Sequence, residues 1–393
     1  MANVLTDLAA DIYKAAEIVG RNVVGYIPSV MINAGSEAAA QGDTVRSFTT
    51  AEPTLNTSVT PSMTIPEGDD QTVSSKTLVL NSVANVQIPW TGEDIKHVNN
   101  GSGYETIYGH QIQRAFNKIT NQIEASVAAE AYKNASRAVG TAGTTPFASN
   151  FDLVAEARQI LVDNGMPVDD GELSLILSTT AGTKLRNLAQ LQKANESGGD
   201  ELLRQGVLLD LQGAMMKESA QAQSHTRGTA YGSSPAYLTD TAGLSPTTYA
   251  VGSTTIHLDT GAGTHVAGDV ITFSGDSNNY VIGTGSASSG DKDIVLNGPG
   301  LRETLADGVT ATIANSYTAN VMLHRSAMEL AMRPMAEPPG GDAAVDRMVV
   351  QDDHSGLVFM ISVYKGYKKA MFDITTLYQA KAWNDEAIAL VLG

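Results

Sequence analysis

At 393 residues the chain exceeds the roughly 250–300 that one hydrophobic core serves, so two or more domains are expected. It contains no Cys, which excludes disulfides and thiolate metal sites, and no run of 18 apolar residues, which excludes a membrane-crossing helix. With 25 basic against 42 acidic residues and a net charge of −17, the chain as a whole should repel nucleic acid rather than condense on it.

The opening MANVLTDLAADIYK lacks a cationic segment followed by an apolar run and does not read as a secretory signal. Residues 3–20 carry Leu5, Leu8, Ile12, Ala16 and Val19 on one side, which predicts a short amphipathic helix stopped at Gly20. VVGYIPSV follows, interrupted by Gly and Pro, and is expected to be an extended arm. Residues 44–66 alternate small polar and apolar side chains and hold three prolines, which confines them to an edge or an exposed ribbon. EGDDQ at 67–71 is the turn. TVSSKTLVLNSVANVQIPW returns, with Leu78, Leu80, Val83, Val86 and Ile88 in alternation before Trp90. An isolated two-stranded ribbon is marginally stable in water, so this one should complete its packing on another molecule.

Ser102–Gly140 is the longest periodic stretch. Tyr108, Ile112, Phe116, Ile119, Ile123, Val127 and Ala131 make one apolar stripe, with Gln111, Gln113, Arg114, Asn117 and Lys118 among the residues opposite. Ser102 with Glu105 forms a capping-box spacing, and Arg137 with Gly140 marks the stop. About 35 residues make a rod on the order of 50 Å, a spine that requires an extended partner such as a sheet. Ser149–Gly165 predicts a second helix, with Ser149 and Asp152 as its capping box and Asn164-Gly165 as its end. Leu173–Ser178 predicts a buried strand, and Thr179/Thr180 caps a helix running to about Lys193.

Composition changes at Arg227. Through Thr318 there are 14 of the 37 glycines, no Met and few charges. Five short strands are expected at 254–258, 269–273, 280–282, 293–296 and 309–313, which describes a small barrel or sandwich. Helical texture stops at His225 and resumes at Asn320, so 227–318 reads as an insertion. Leu357–Tyr364 and Lys369–Tyr378 predict two strands around Gly366, and Ala387–Leu392 a terminal buried strand.

No enzyme motif emerges. HExxH, GxSxG and GxxxxGK[ST] are absent. Gly283-Thr-Gly285 lacks the third glycine of a dinucleotide loop and reads as a turn. Asp276-Ser-Asn278-Asn279 is half a calcium loop without the distal Glu and reads as an Asx turn. Asp352-Asp353-His354-Ser355 reads as an inter-strand turn, not a catalytic group. His110 lies on the polar side of the spine. Asn56, Asn100, Asn134 and Asn195 match the glycosylation sequon by chance, and Lys365, Lys368 and Lys369 form a basic cluster that reads as a solvated strand end, with contact to DNA or a neighbouring subunit as the alternative.

An arm, a proline-rich ribbon, a spine helix and then helix–strand–helix with a β insertion resemble the major capsid proteins of tailed phages with the Hong Kong 97 (HK-97) fold. More narrowly, the order is similar to the coat protein family of Salmonella phage P-22, which carries an extra β-barrel. The matching stretches are KTLVLNSVANVQIPWTGEDI, LVAEARQILVDNGMPVDDGELSLILSTTAGTKL, HVAGDVITFSGDSNNYVIG with NGPGLRETLADG, and YTANVMLHRSAMELAMRP. The resemblance implies an α+β capsid fold divided into an N-terminal arm (1–45), an extended loop (46–90), a peripheral domain with the spine (91–148), an axial domain (149–226 with 319–393) and an inserted barrel (227–318). It implies a non-enzymatic coat protein that assembles as pentamers and hexamers around a scaffolding protein and takes in double-stranded DNA through a portal. It implies no cofactor, metal or membrane, with assembly in the bacterial host cytoplasm and residence in the virion. An acidic shell would not trap its contents. Phe48, Glu67, Asp69, Asp70, Lys76 and Trp90 are the expected inter-subunit contacts, and Lys76 matches the kind of residue that some relatives crosslink. Deleting 50–85 should leave a folded monomer unable to assemble. The competing readings are an encapsulin-like nanocompartment, which a neighbouring portal or terminase gene would exclude, and a glycan-binding surface protein, which the few aromatics of 227–318 disfavour.

Overall fold

The computed structural model describes residues 25–50, 55, 57–65, 68, 73–99, 104–192, 210–243, 247–352 and 355–393. The predicted helix at 3–20 and, Gly68 apart, the predicted turn at 67–71 lie outside them. Two sheets share one long helix. In the first sheet the strand Lys369–Ala382 is central. One edge pairs with Ser82–Thr91 in unbroken antiparallel register, from Lys369↔Thr91 to Tyr378↔Ser82. Its other edge pairs with Val358–Gly366 and then, further along, with Met328–Arg333. Ala344–Gln351 and Met31–Ala34 complete the layer.

Helix α1 (Gly92–Asn99) leads to α2 (Tyr104–Lys133), whose 30 residues make a rod of about 45 Å. Ile112, Phe116, Ile119, Ile123 and Val127 are all buried, and the Phe116 and Phe359 rings meet edge-on at 4.9 Å. The stripe thus lies on the first sheet; Tyr108 is in the helix, its side chain outside the described set. The helix stops earlier than Arg137 and Gly140 suggested. Arg137–Val139 is instead a strand, parallel to Ile388–Leu392 and antiparallel to Asn279–Tyr280. Asn297 Nδ2 donates to the carbonyls of Lys133 and Ala135 at 2.8 and 2.7 Å, satisfying the helix end from a distant loop. Ser102 lies outside the described residues.

Helix α3 (Asp152–Asp163) begins at Phe151 with no side-chain cap, so the Ser149–Asp152 box does not form. Its end is as read: Gly165 adopts φ +81 and Met166 N donates to Leu161 O at 3.0 Å. Leu173–Ser178 is buried at every position. Ser178, not Thr179, caps α4 (Thr179–Arg186), and the helix breaks before α5 (Ala189–Gln192). Texture around 215–225 and 320 read as helical is strand: Met215–Ser219, Ser224–His225 and Tyr317–His324. Tyr317–His324 is interior to the second sheet, between Ile388–Leu392 and Leu173–Ser178, and is buried on both faces, Ala319, Val321 and Leu323 in the core under α2 and Met322 in the core under α3; such continuous apolar runs do not distinguish helix from strand.

Six strands between 237 and 313 form a closed ring. Val270–Phe273 pairs with Thr310–Ile313, followed by Tyr237–Thr239, Thr255–Asp259, Lys292–Leu296 and Asn279–Thr284, which returns to Val270–Phe273. All these pairings are antiparallel, around a core of Tyr237, Ile256, Leu258, Phe273, Tyr280 and Ile294. Tyr237–Thr239, not among the five expected strands, closes the set. Gly283 lies at a register shift inside a strand rather than in a turn. Asp276 does make the Asx turn, accepting from Asn278 N at 2.8 Å.

Candidate functional site: assembly surfaces

The ribbon consists of Thr44–Thr50 and Val73–Val79, paired residue for residue from Thr44↔Val79 to Thr50↔Val73. Its root is fixed. Leu78 and Leu80 are buried against Ala331 and Leu377, with Trp383 packed alongside. Gly42 N donates to Leu80 O and Leu80 N to Asp43 O, closing the entry to the hairpin. Lys381 Nζ donates to Thr77 O at 3.0 Å, and Lys76 Nζ donates to the carbonyl of Trp383. Lys76, expected to face a neighbouring subunit, therefore has a partner in its own chain.

The tip is the opposite. Leu55, Val59, Met63 and Ile65 are between 83 % and 105 % exposed, and Phe48 is 77 % exposed. Burying one such side chain releases about 1.5–3 kcal/mol. Four leave on the order of 6–12 kcal/mol unrealised in a single copy, which is more than scattered exposed hydrophobics amount to. Glu67, Asp69 and Asp70 lie outside the described residues.

Two expectations for this region need correction. The projecting element ends at Val79, because Ser82–Thr91 is a full member of the first sheet. Trp90 is only 7 % exposed and belongs to the core of its own chain, so it anchors that strand rather than reaching a neighbour.

Residues 25–30 are not an extended arm. Tyr26, Ile27 and Val30 are fully buried around a short 3-10 turn, Ile27–Ser29. The cause is Glu124, a residue the periodicity of α2 did not single out. Its carboxylate, 5 % exposed, accepts from Tyr26 N at 2.7 Å, Ile27 N at 2.9 Å and Ser219 Oγ at 2.9 Å. Lys217 Nζ donates to Ser29 Oγ at 2.8 Å beside it. Burial pushes the Glu124 carboxyl up, and the three hydrogen bonds and Lys217 oppose the rise. A Cβ at Gly25 (φ +123) would stand 2.3 Å from Glu124 Oε1, so the glycine is required there. One carboxylate thus joins the N-terminal segment, α2 and the edge strand of the second sheet. The one sequence signal was an acid close to the apolar stripe.

The six-stranded ring is bonded to the body at several points. His225 Nε2 meets Asp269 Oδ1 at 2.8 Å, both buried, and Tyr317 OH donates to Gly268 O at 2.6 Å. Asn297 holds the end of α2, and Arg302 Nη2 donates to Asp163 O.

Among the described residues one group has metal-ligand composition, Asp170, Glu172 and His324, with ligand atoms within 4.8 Å of one another. His324 is already held by Asp170 Oδ2 at 2.8 Å and Ser326 Oγ at 2.7 Å. The His324 hydrogen bond holds the Asp170 carboxyl below its ordinary range. Asp352 accepts from Ser355 N at 2.8 Å and from Ser355 Oγ in the turn between Ala344–Gln351 and Val358–Gly366. That is turn chemistry. His110 is exposed on α2.

No protein-family model and no curated protein matches the chain. Solved structures do. A chain of the capsid structure of the Cyanophage P-SCSP1u is 10 % identical, with a TM-score of 0.50, over 93 % of this chain and 86 % of that one. A chain of the mature capsid of bacteriophage PhiM1 is 11 % identical (TM-score 0.47, covering 92 % and 85 %), and one of Mycobacterium phage Che8 is 13 % identical (TM-score 0.46, covering 89 % and 84 %). The fold is that of a phage capsid chain.

Proposed function

We propose that this chain is the major capsid protein of a tailed bacteriophage, assembling as pentamers and hexamers into an icosahedral shell that encloses double-stranded DNA. The observation that carries the reading is the ribbon. Its root is packed on its own chain, and its apolar tip has no cover there although the rest of the fold is that of a capsid chain. In a closed shell the missing cover comes from other copies, and repetition of modest contacts makes the assembly stable.

In this reading α2 is the spine of the peripheral domain and the first sheet is its platform. The ribbon is the extended loop, and the strands around Tyr317–His324 build the axial domain. Residues 227–318 are an inserted barrel, and the closed six-strand ring supports kinship with the coat protein of Salmonella phage P-22. Scaffolding protein and portal are the further partners, and the virion is the location. The acidic chain would enclose DNA without sequence-specific binding, repelling it rather than condensing on it.

Negative-stain microscopy of the expressed protein tests the reading. Closed particles of uniform diameter are expected. A compact monomer at every concentration, with residues 55–65 protected from protease, would sink it.

A further inference from the structure

We propose that Asp170, Glu172 and His324 form a binding site for a zinc ion, at the point where the loop after α3 meets the end of Tyr317–His324. One ligand atom from each lies within 4.8 Å of the other two. Tetrahedral ligands bonded at about 2.0–2.2 Å stand roughly 3.5 Å apart, so the set closes on one ion when the two exposed carboxylates turn inward. A water molecule completes the four ligands. Two carboxylates and a neutral imidazole balance the charge of a divalent ion, and that mixture suits zinc, whereas magnesium and calcium take oxygen ligands.

The histidine sets this group apart from a patch of surface acids. Its side chain is 6 % exposed, and one ring nitrogen is already taken, with Nδ1 standing 2.7 Å from Ser326 Oγ. Nε2 therefore faces the carboxylates, 2.8 Å from Asp170 Oδ2. Ligating histidines are held in this way, through the nitrogen that does not meet the metal. The backbone positions the other two ligands. Leu173 pairs with His324 in the second sheet, and Arg325 N donates to Glu172 O at 3.2 Å, so Glu172 sits at the end of the same ladder. Glu172 N in turn donates to Asp170 Oδ1 at 3.0 Å, which leaves Oδ2 for His324. Arg158 is paired with the neighbouring Asp169 at 2.6 Å. The hydrogen bond between His324 and Asp170 occupies the place of the ion. When zinc enters, the ring proton moves from Nε2 to Nδ1, where Ser326 Oγ accepts it. The cost is the long contact from Ser326 N to Nδ1, 3.3 Å. The bound ion staples the loop after α3 to an interior strand of the second sheet.

Isothermal titration of zinc chloride into the untagged, chelator-treated full chain tests the site. One ion per chain is expected, with a rise in melting temperature, because an ion that binds only the folded chain stabilises it. Magnesium chloride should give neither. Glu172→Gln and Asp170→Asn alter exposed side chains, so both variants should keep the circular dichroism of the parent while binding zinc at least tenfold more weakly. His324→Ala should lose the site, but it also empties a buried position, so the two exposed variants decide. Cobalt(II) in place of zinc should show the visible absorption of a four-coordinate ion in the parent and lose it in Glu172→Gln. No zinc bound by the parent, or the same affinity in both exposed variants, would overturn the proposal. So would binding of magnesium as tight as that of zinc, the behaviour of an ordinary acidic surface. Each of these results leaves the shell reading intact, since the site lies apart from the ribbon.

Discussion

Replacing Glu124 with Ala should be the most damaging single polar substitution in the described molecule. The carboxylate is buried and accepts from two backbone amides and one hydroxyl, at 2.7, 2.9 and 2.9 Å. Truncation leaves three buried donors without acceptors, each at a cost of about 1–3 kcal/mol, and a total of about 3–9 kcal/mol is expected. Urea unfolding of the unassembled chain, followed by circular dichroism, measures the loss. Hydrogen exchange at Tyr26 and Ile27 locates it, because residues 25–30 should open first. A loss below about 1 kcal/mol, or unchanged protection at those amides, would refute the reasoning. Glu124→Gln keeps an acceptor and should cost far less. It also isolates the charge. Because burial raises the Glu124 carboxyl above its ordinary 4.5, the folded chain holds its proton at pH values where the unfolded chain has released it. This contribution to stability is complete below the unfolded value and is lost as pH rises through the folded one. The Gln variant should lack that slope.

Further predictions concern packing and connection. Phe116→Ala removes a buried ring that contacts Phe359 and should destabilise by about 3–5 kcal/mol in the same unfolding assay. Asn297→Ala frees the carbonyls of Lys133 and Ala135 and should cost about 2 kcal/mol, with exchange rising at the end of α2. Gly25→Ala meets both a positive φ and the Glu124 carboxylate, so a loss of about 2 kcal/mol or more is expected in thermal melts.

The sequence was most informative where one periodicity dominates. The stripe from Ile112 to Val127 announced a helix on a sheet, and Leu173–Ser178 announced a strand, because side chains on one face repeat at the period of the backbone. The short strands between 254 and 313 were readable from their Gly and Asx punctuation. Closure of the ring was not, since Tyr237–Thr239 is three residues long and is defined by its partners. Arg137–Val139 follows a helix without a breaker and becomes a strand because two other strands recruit it. VVGYIPSV looked like an arm because Gly and Pro interrupt it. Its burial depends on Glu124, 98 residues away from Tyr26. The burial of Trp90 is not legible in the sequence, because an aromatic at the end of an exposed ribbon and one at the end of a core strand look identical there. The partners of Lys76 and of the lysines at 365–369 are not legible in the sequence, since pairing of surface charges is a tertiary property.

The account stands most directly on what the ribbon tip does. Removing 50–85 would take Leu78, Leu80 and part of Ser82–Thr91 from the core, so the informative deletion is 51–72, with Thr50 and Val73 joined by Asn-Gly as a two-residue hairpin turn. Sedimentation velocity of this variant beside the full chain should show large particles for the full chain and a folded monomer for the deletion. Particles of the same size from both would contradict the claim that copies are held together through the ribbon.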